Sequence, residues 1–136
     1  MKIMLDEGAK MPTRAHKYDA GLDLYAMESG FVSAHDRNTF DTGVHVQIPE
    51  HCVGFIKSKS GLMVKHGLMT DGTIDAHYTG SIRVCLFNQS DQDIYVQAGD
   101  KIAQLVILPC LLPELEPVDS LEETDRGACG FGSTGR

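Results

Sequence analysis

The sequence predicts an all-β fold. Residues 1–112 read as a distorted jelly-roll β-barrel with one short helix, and 113–136 as an extended C-terminal arm. Three observations carry this prediction. Short apolar runs recur with period-two alternation and frequent turn residues between them. Only the segment 58–67 interrupts that rhythm with helix signals. Beyond Pro109 the alternation stops, and prolines and acidic residues take over.

Residues 2–5 suit a short edge strand. In 18–26, Leu22, Leu24 and Ala26 alternate with Asp23 and Tyr25, which places Asp23 opposite the apolar face, towards solvent. Strands are expected at 31–32, 38–42 and 44–48, with breaks at Gly30, 34–36, Gly43 and Pro49, and again at 52–57. Ser60 then suits a helix N-cap, Leu62, Met63 and Val64 a short helix, and Gly67 its end. A helix start with Lys59, Ser60 and Gly61 is either an ordinary cap or a phosphate site.

The stretch 72–83 reads as a β-hairpin, Ile74 on one strand and Ile82, Val84 and Leu86 on the other, with Gly80 closing a polar turn. Asp75 and Tyr78 stand at its mouth. Either they cap the turn and cover a sheet edge, or they offer a carboxylate to a water or sugar hydroxyl and a ring to a ligand. A strand over 81–88 buries Ile82, Val84 and Leu86 on one face, and 94–96 is a further strand before a tight turn at 98–100. Residues 101–108 are almost continuously apolar, as in a strand covered on both faces. Gln104 is the polar exception there; it either satisfies buried backbone or faces a ligand.

With 136 residues the chain is one domain, and no run approaches the ~20 apolar residues of a membrane span. Asp6 and Glu7 follow the opening apolar run at once, which is too short for a signal peptide, so a cytoplasmic location is expected. Cys52, Cys85, Cys110 and Cys129 form no C-x-x-C pair, so they read as reduced, mostly buried thiols and not as a zinc site. The net charge of −7 argues against long nucleic acid as a partner. A small anionic ligand held by a few lysines and arginines, arriving with a divalent cation, remains compatible.

Between Pro109 and Asp125 there are six acidic residues and no basic one, and Pro113 and Pro117 prevent a regular helix. The tail from Arg126 is rich in glycine but fails the phosphate-loop pattern, because Ser133 stands where Lys is needed. It is either a disordered terminus or a nucleotide wrap, with Ser133 and Thr134 on phosphate and Phe131 on a base.

Taken in order, these segments resemble the trimeric all-β deoxyuridine triphosphatase (dUTPase) family, whose five motifs span nearly the whole chain. Ala20-Gly21-Leu22-Asp23-Leu24 is similar to the first, which implies that Asp23 holds the water shell of Mg2+. Ser60-Gly61-Leu62, preceded by Lys59, is similar to the second and implies phosphate contact. Gly72-Thr73-Ile74-Asp75 with Tyr78 is similar to the third. It implies that Asp75 positions the attacking water and that Tyr78 packs on deoxyribose and excludes a 2′-hydroxyl. Gly99-Asp100-Lys101-Ile102-Ala103-Gln104-Leu105 is similar to the fourth, with Gln104 on phosphate. Arg126-Gly127 with Gly130-Phe131-Gly132-Ser133-Thr134-Gly135 is similar to the fifth, which closes over phosphates and uracil.

The implied activity is Mg2+-assisted hydrolysis of dUTP to dUMP and pyrophosphate. The implied assembly is a homotrimer whose active sites lie between subunits, each arm reaching a neighbour's site. Lys59, His77 and Cys129 depart from the usual pattern of Arg, an acidic residue and Gly. The related dCTP deaminases share fold and trimer but usually lack the Asp-x-x-Tyr segment, and a nucleotide-binding regulator is the alternative outside enzymes.

Overall fold

Alternation becomes strand wherever one face has a core to meet. In β9 (Arg83–Asn88) Val84 and Leu86 are buried while Arg83 and Phe87 face outward. The computed structural model describes residues 1–128, and the predicted contacts of Phe131, Gly132, Ser133 and Thr134 lie outside them. Before β9 come β1 (Lys2–Leu5), β2 (Leu22–Tyr25), β3 (Gly30–Val32), β4 (Arg37–Asp41), β5 (Val44–Gln47) and β6 (Cys52–Lys57). Then follow α1 (Ser60–His66), β7 (Leu68–Met69) and β8 (Asp71–Ile74), and after β9 come β10 (Ile94–Val96) and β11 (Lys101–Pro109).

The strands form a four-stranded sheet, β2-β11-β6-β8, a three-stranded sheet, β4-β9-β7, and the pairs β1-β5 and β3-β10. Leu24, Ile56, Ile102 and Leu105 from the first sheet meet Phe40, Val84 and Leu86 from the second in one core. The jelly-roll prediction thus holds in outline, with the sheets left open and not closed into one barrel.

Among the described residues every pairing is antiparallel, yet none joins strands consecutive in sequence. This corrects the predicted hairpin. β8 pairs with β6, and β9 with β4 and β7, so residues 75–82 cross from one sheet to the other. Period-two alternation identifies a strand but carries no information about its partner.

Two further expectations change. Ser60 is the first helical residue and Lys59 the N-cap, with extended backbone and no side-chain cap. Cys52, Cys85 and Cys110 are free thiols but only half-buried. Gly67 ends α1 in the left-handed conformation, as expected, its N–H bonding back to Leu62 and Met63. The strand β11 is covered in its first half, and Leu108 is exposed. After Pro109 the described chain has no regular element, and Leu111, Leu112, Leu115 and Leu121 are exposed along it.

One turn tolerates no substitute. Gly43 links β4 to β5 at φ +61°, and a Cβ there would collide with Met27 Sδ and lie 2.7 Å from Ala9 Cβ. Gly43→Ala is expected to destabilise the fold by about 1–3 kcal/mol, read as a lower urea midpoint with an unchanged slope.

Candidate functional site

Strand order brings the first cluster together. β11 lies between β2 and β6, so Gln104 is opposite Asp23 on one side and Lys57 on the other. The chain leaving β6 then turns back at Ser58, whose hydroxyl donates to the Thr70 carbonyl at 2.8 Å and accepts from its N–H at 2.8 Å. The Ser58 carbonyl accepts from the Gln104 amide at 3.3 Å. Gln104 therefore does satisfy backbone, while its flank lines a cavity of about 340 Å³ with Asp23, Lys59, Gly21 and Asp19. Gly21 is glycine because a Cβ would run into the Gln104 side chain.

Asp23 does not face solvent. It is 6% exposed, with Lys59 Nζ on one carboxylate oxygen and Lys101 Nζ 2.7 Å from the other. Burial pushes its carboxyl up, but hydrogen bonds and charge from Lys101 and Lys59 together outweigh burial and hold it below 3.8. Those two cations sit far along the chain, so no local pattern revealed that Asp23 could turn inward. Sequence reasoning gave Lys101 and Ser58 no role; the apolar run around Lys101 was the one signal available for it.

The sign of the pH effect follows. A lowered carboxylate pKa gives stability that is full above 3.8 and lost as pH falls through the folded value. The stability gap between wild type and Asp23→Asn is expected to be constant above about pH 5 and to shrink in more acid solution. Guanidinium unfolding across that range measures it.

The second cluster is built on the crossing segment. The Tyr78 N–H donates to the Asp75 carbonyl at 3.0 Å, closing a tight turn immediately after β8. Tyr78 lies over Gly80, where a Cβ would meet the ring oxygen at 2.5 Å, and its hydroxyl donates to the Ser81 carbonyl at 3.0 Å. The ring is held yet 44% exposed. The Asp75 carboxylate is exposed and has no hydrogen bond or ion pair to any described residue. Thr73, Ile74, Asp75, Tyr78 and Arg83 line a cleft of about 210 Å³. Arg83 is a third residue to which the sequence reading gave no role.

The two clusters lie apart. Their cavities share no lining residue. Ile74 pairs with Gly54 near the start of β6, whereas Lys59 lies past its end. Five residues of extended chain separate those positions by roughly 17 Å. Ser60 and Gly61, exposed in the first turn of α1, belong to the Lys59 side, and Gly72 belongs to β8. Arg126 lies in the arm and does have an interaction partner.

No described group of three acidic, His or Cys side chains could bind a metal ion. The donor set therefore does not fit a resident metal. Asp23, the carboxylate that the resemblance assigns to the Mg2+ water shell, has both oxygens held by lysine ammonium groups in this arrangement.

The family model for dUTPase matches residues 7–135. The deoxyuridine 5′-triphosphate nucleotidohydrolase of Yarrowia lipolytica is 45% identical over 96% of this chain and 85% of its own length. That of Clostridium tetani is 41% identical, covering 98% of this chain and 94% of its own. Among solved structures, a Staphylococcus bacteriophage 80alpha dUTPase with dUPNHPP superposes with a TM-score of 0.92 at 32% identity, over 99% of this chain and 98% of that one. A phage phi11 dUTPase, described as coordinating a structural Mg(II) ion, gives 0.83 at 31% identity over 90% and 98%. Sheet order, the paired clefts and these matches agree, and the chain belongs to the dUTPase family.

Proposed function

We propose that this chain hydrolyses dUTP to dUMP and pyrophosphate, limiting uracil in DNA and supplying dUMP for dTMP synthesis. The observation that carries the reading is the exposed, unpaired carboxylate of Asp75 set three residues from a half-exposed Tyr78 in one cleft. A carboxylate free of partners can accept a proton from a water aligned on the α-phosphorus. The new P–O bond forms to that water, the bond to the β-phosphate oxygen breaks, and pyrophosphate leaves.

Tyr78 packs on deoxyribose, and Gly72, Thr73 and Ile74 supply the strand edge beside the base. Lys59, Ser60, Gly61 and Gln104 receive the phosphates, with Lys101 sharing the charge. Arg126, Phe131, Gly132, Ser133 and Thr134 cover the nucleotide from the arm, which we place at 113–136 beyond a 1–112 body. Asp23 would hold Mg2+ through water once the phosphates draw Lys59 and Lys101 off its carboxylate, and the ion would supply charge neutralisation at the leaving group.

The separation of the two clefts supports a homotrimer with sites between subunits, since one chain's Asp75 and Lys59 stand at opposite ends of β6. The exposed leucines of the arm support its docking on a neighbour. Three free half-buried thiols accord with a cytoplasmic location.

The test is pyrophosphate release from dUTP, dCTP, dTTP and UTP, each with Mg2+ and with chelator. Metal-dependent release from dUTP alone is expected. No release from any of them overturns the reading, and ammonia from dCTP would turn it to the deaminase.

A further inference from the structure

Besides backbone bonds at Ile82, three side chains fasten the segment that carries Asp75 and Tyr78. The Ser81 hydroxyl donates to Asp41, and the Thr42 hydroxyl donates to the Ile82 carbonyl at 2.7 Å. The third point is His45 on β5. One ring nitrogen, Nδ1, lies 2.8 Å from the Thr79 carbonyl, and the other, Nε2, lies 3.1 Å from the Asp6 carboxylate. Thr79 directly follows Tyr78, so of the three this contact is the nearest in sequence to the ligand-facing ring.

Both partners of the ring are acceptors. A carbonyl oxygen and a carboxylate oxygen have no proton to give, so satisfying both at once requires an N–H on each nitrogen. Neutral imidazole has only one. On losing a proton the ring keeps its one N–H on the Asp6 carboxylate, the charged and stronger acceptor, and turns a lone pair towards the Thr79 carbonyl, so the fastening at Thr79 is lost. We propose that His45, backed by Asp6, is a positioning residue for the nucleoside-binding turn, holding Tyr78 in place through Thr79 while the imidazole is doubly protonated. The inference rests on the reading of that turn as the dUTP site.

The surroundings favour the cation. Asp6 follows β1 and Asp41 ends β4, both negative, while Lys2 of β1 lines the same groove. Met4 is the cross-strand neighbour of His45 and is uncharged. The Thr79 carbonyl first, and then Asp6, raise the imidazole above 6.5. A raised histidine pKa places the fastening fully on below 6.5 and off as pH climbs through the folded value.

Asn is the informative replacement, because its amide N–H can take the place of Nδ1 without titrating. Steady-state KM and kcat for dUTP would be measured between about pH 6 and 9 for wild type, His45→Asn, His45→Ala and Asp6→Asn, with melting temperatures alongside. The wild-type to His45→Asn ratio cancels the ionisations of the nucleotide. The expected result is a wild-type KM that rises roughly 3- to 10-fold relative to His45→Asn at high pH, with kcat little changed. His45→Ala should show the raised KM at every pH. Asp6→Asn should move the wild-type transition to lower pH. A KM ratio flat across the range, in folded variants that still hydrolyse dUTP, overturns the role of His45. Absence of dUTP hydrolysis in wild type itself would instead overturn the proposed function.

Discussion

Asp75→Asn is expected to lower kcat for dUTP by roughly 10²–10⁴-fold, the range that a positioned general base contributes, and to leave nucleotide binding close to wild type. The carboxylate is exposed and makes no hydrogen bond or ion pair with a described residue, so replacing it by an isosteric amide removes no such bond. The turn survives, because the Tyr78 N–H is held by the Asp75 main-chain carbonyl and not by the side chain. An amide keeps the shape and an acceptor oxygen but cannot take the proton of the attacking water. Single-turnover hydrolysis, paired with calorimetric binding of a non-hydrolysable dUTP analogue, separates the two quantities. Turnover near the wild-type rate would remove Asp75 from the chemistry.

The second large effect is recovery of activity on mixing two inactive variants. If Asp75 and Lys59 of one site come from different subunits, Asp75→Asn and Lys59→Ala damage opposite halves. On that reading, unfolding the two variants together and refolding them as mixed oligomers would leave roughly a quarter of the sites with both halves intact. Since each parent is expected to lose about 10²-fold or more, the mixture should exceed either parent by more than tenfold. Refolding each variant alone provides the control. A mixture no better than the average of its parents would mean that both residues serve a site within one chain, despite their positions at opposite ends of β6.

Strand positions were largely legible, and for a physical reason. Val84 and Leu86 alternate with Arg83 and Phe87 because one face of β9 meets a core, and the same constraint marks β6 and β10. Pairing was not legible, since nothing in the local pattern of 72–83 says that β8 and β9 belong to different sheets. Asp23 shows the same limit. A carboxylate in a strand reads as solvent-facing until two ammonium groups from elsewhere in the chain neutralise it. Gln104 was legible as a polar residue in need of a partner, though the partner, the Ser58 carbonyl, was not. The helix was found, but which residue caps it depends on the backbone angles at Lys59. His45 gave no signal, because its two acceptors lie on other segments of the chain.

The absence of any pairing between consecutive strands bears on how the protein is made. As the chain leaves the ribosome, β2 and β6 emerge without the strand that joins them, because β11 is the last to appear. Until then Leu22 and Ile56 lack Leu105, with which both pair, and Asp23 lacks Lys101 and Gln104. Completion of the four-stranded sheet is therefore expected to wait for β11, and folding to be slow, as where contacts are distant in sequence. For that interval the nascent chain carries open strand edges, and its solubility depends on the charged residues between them and on chaperones.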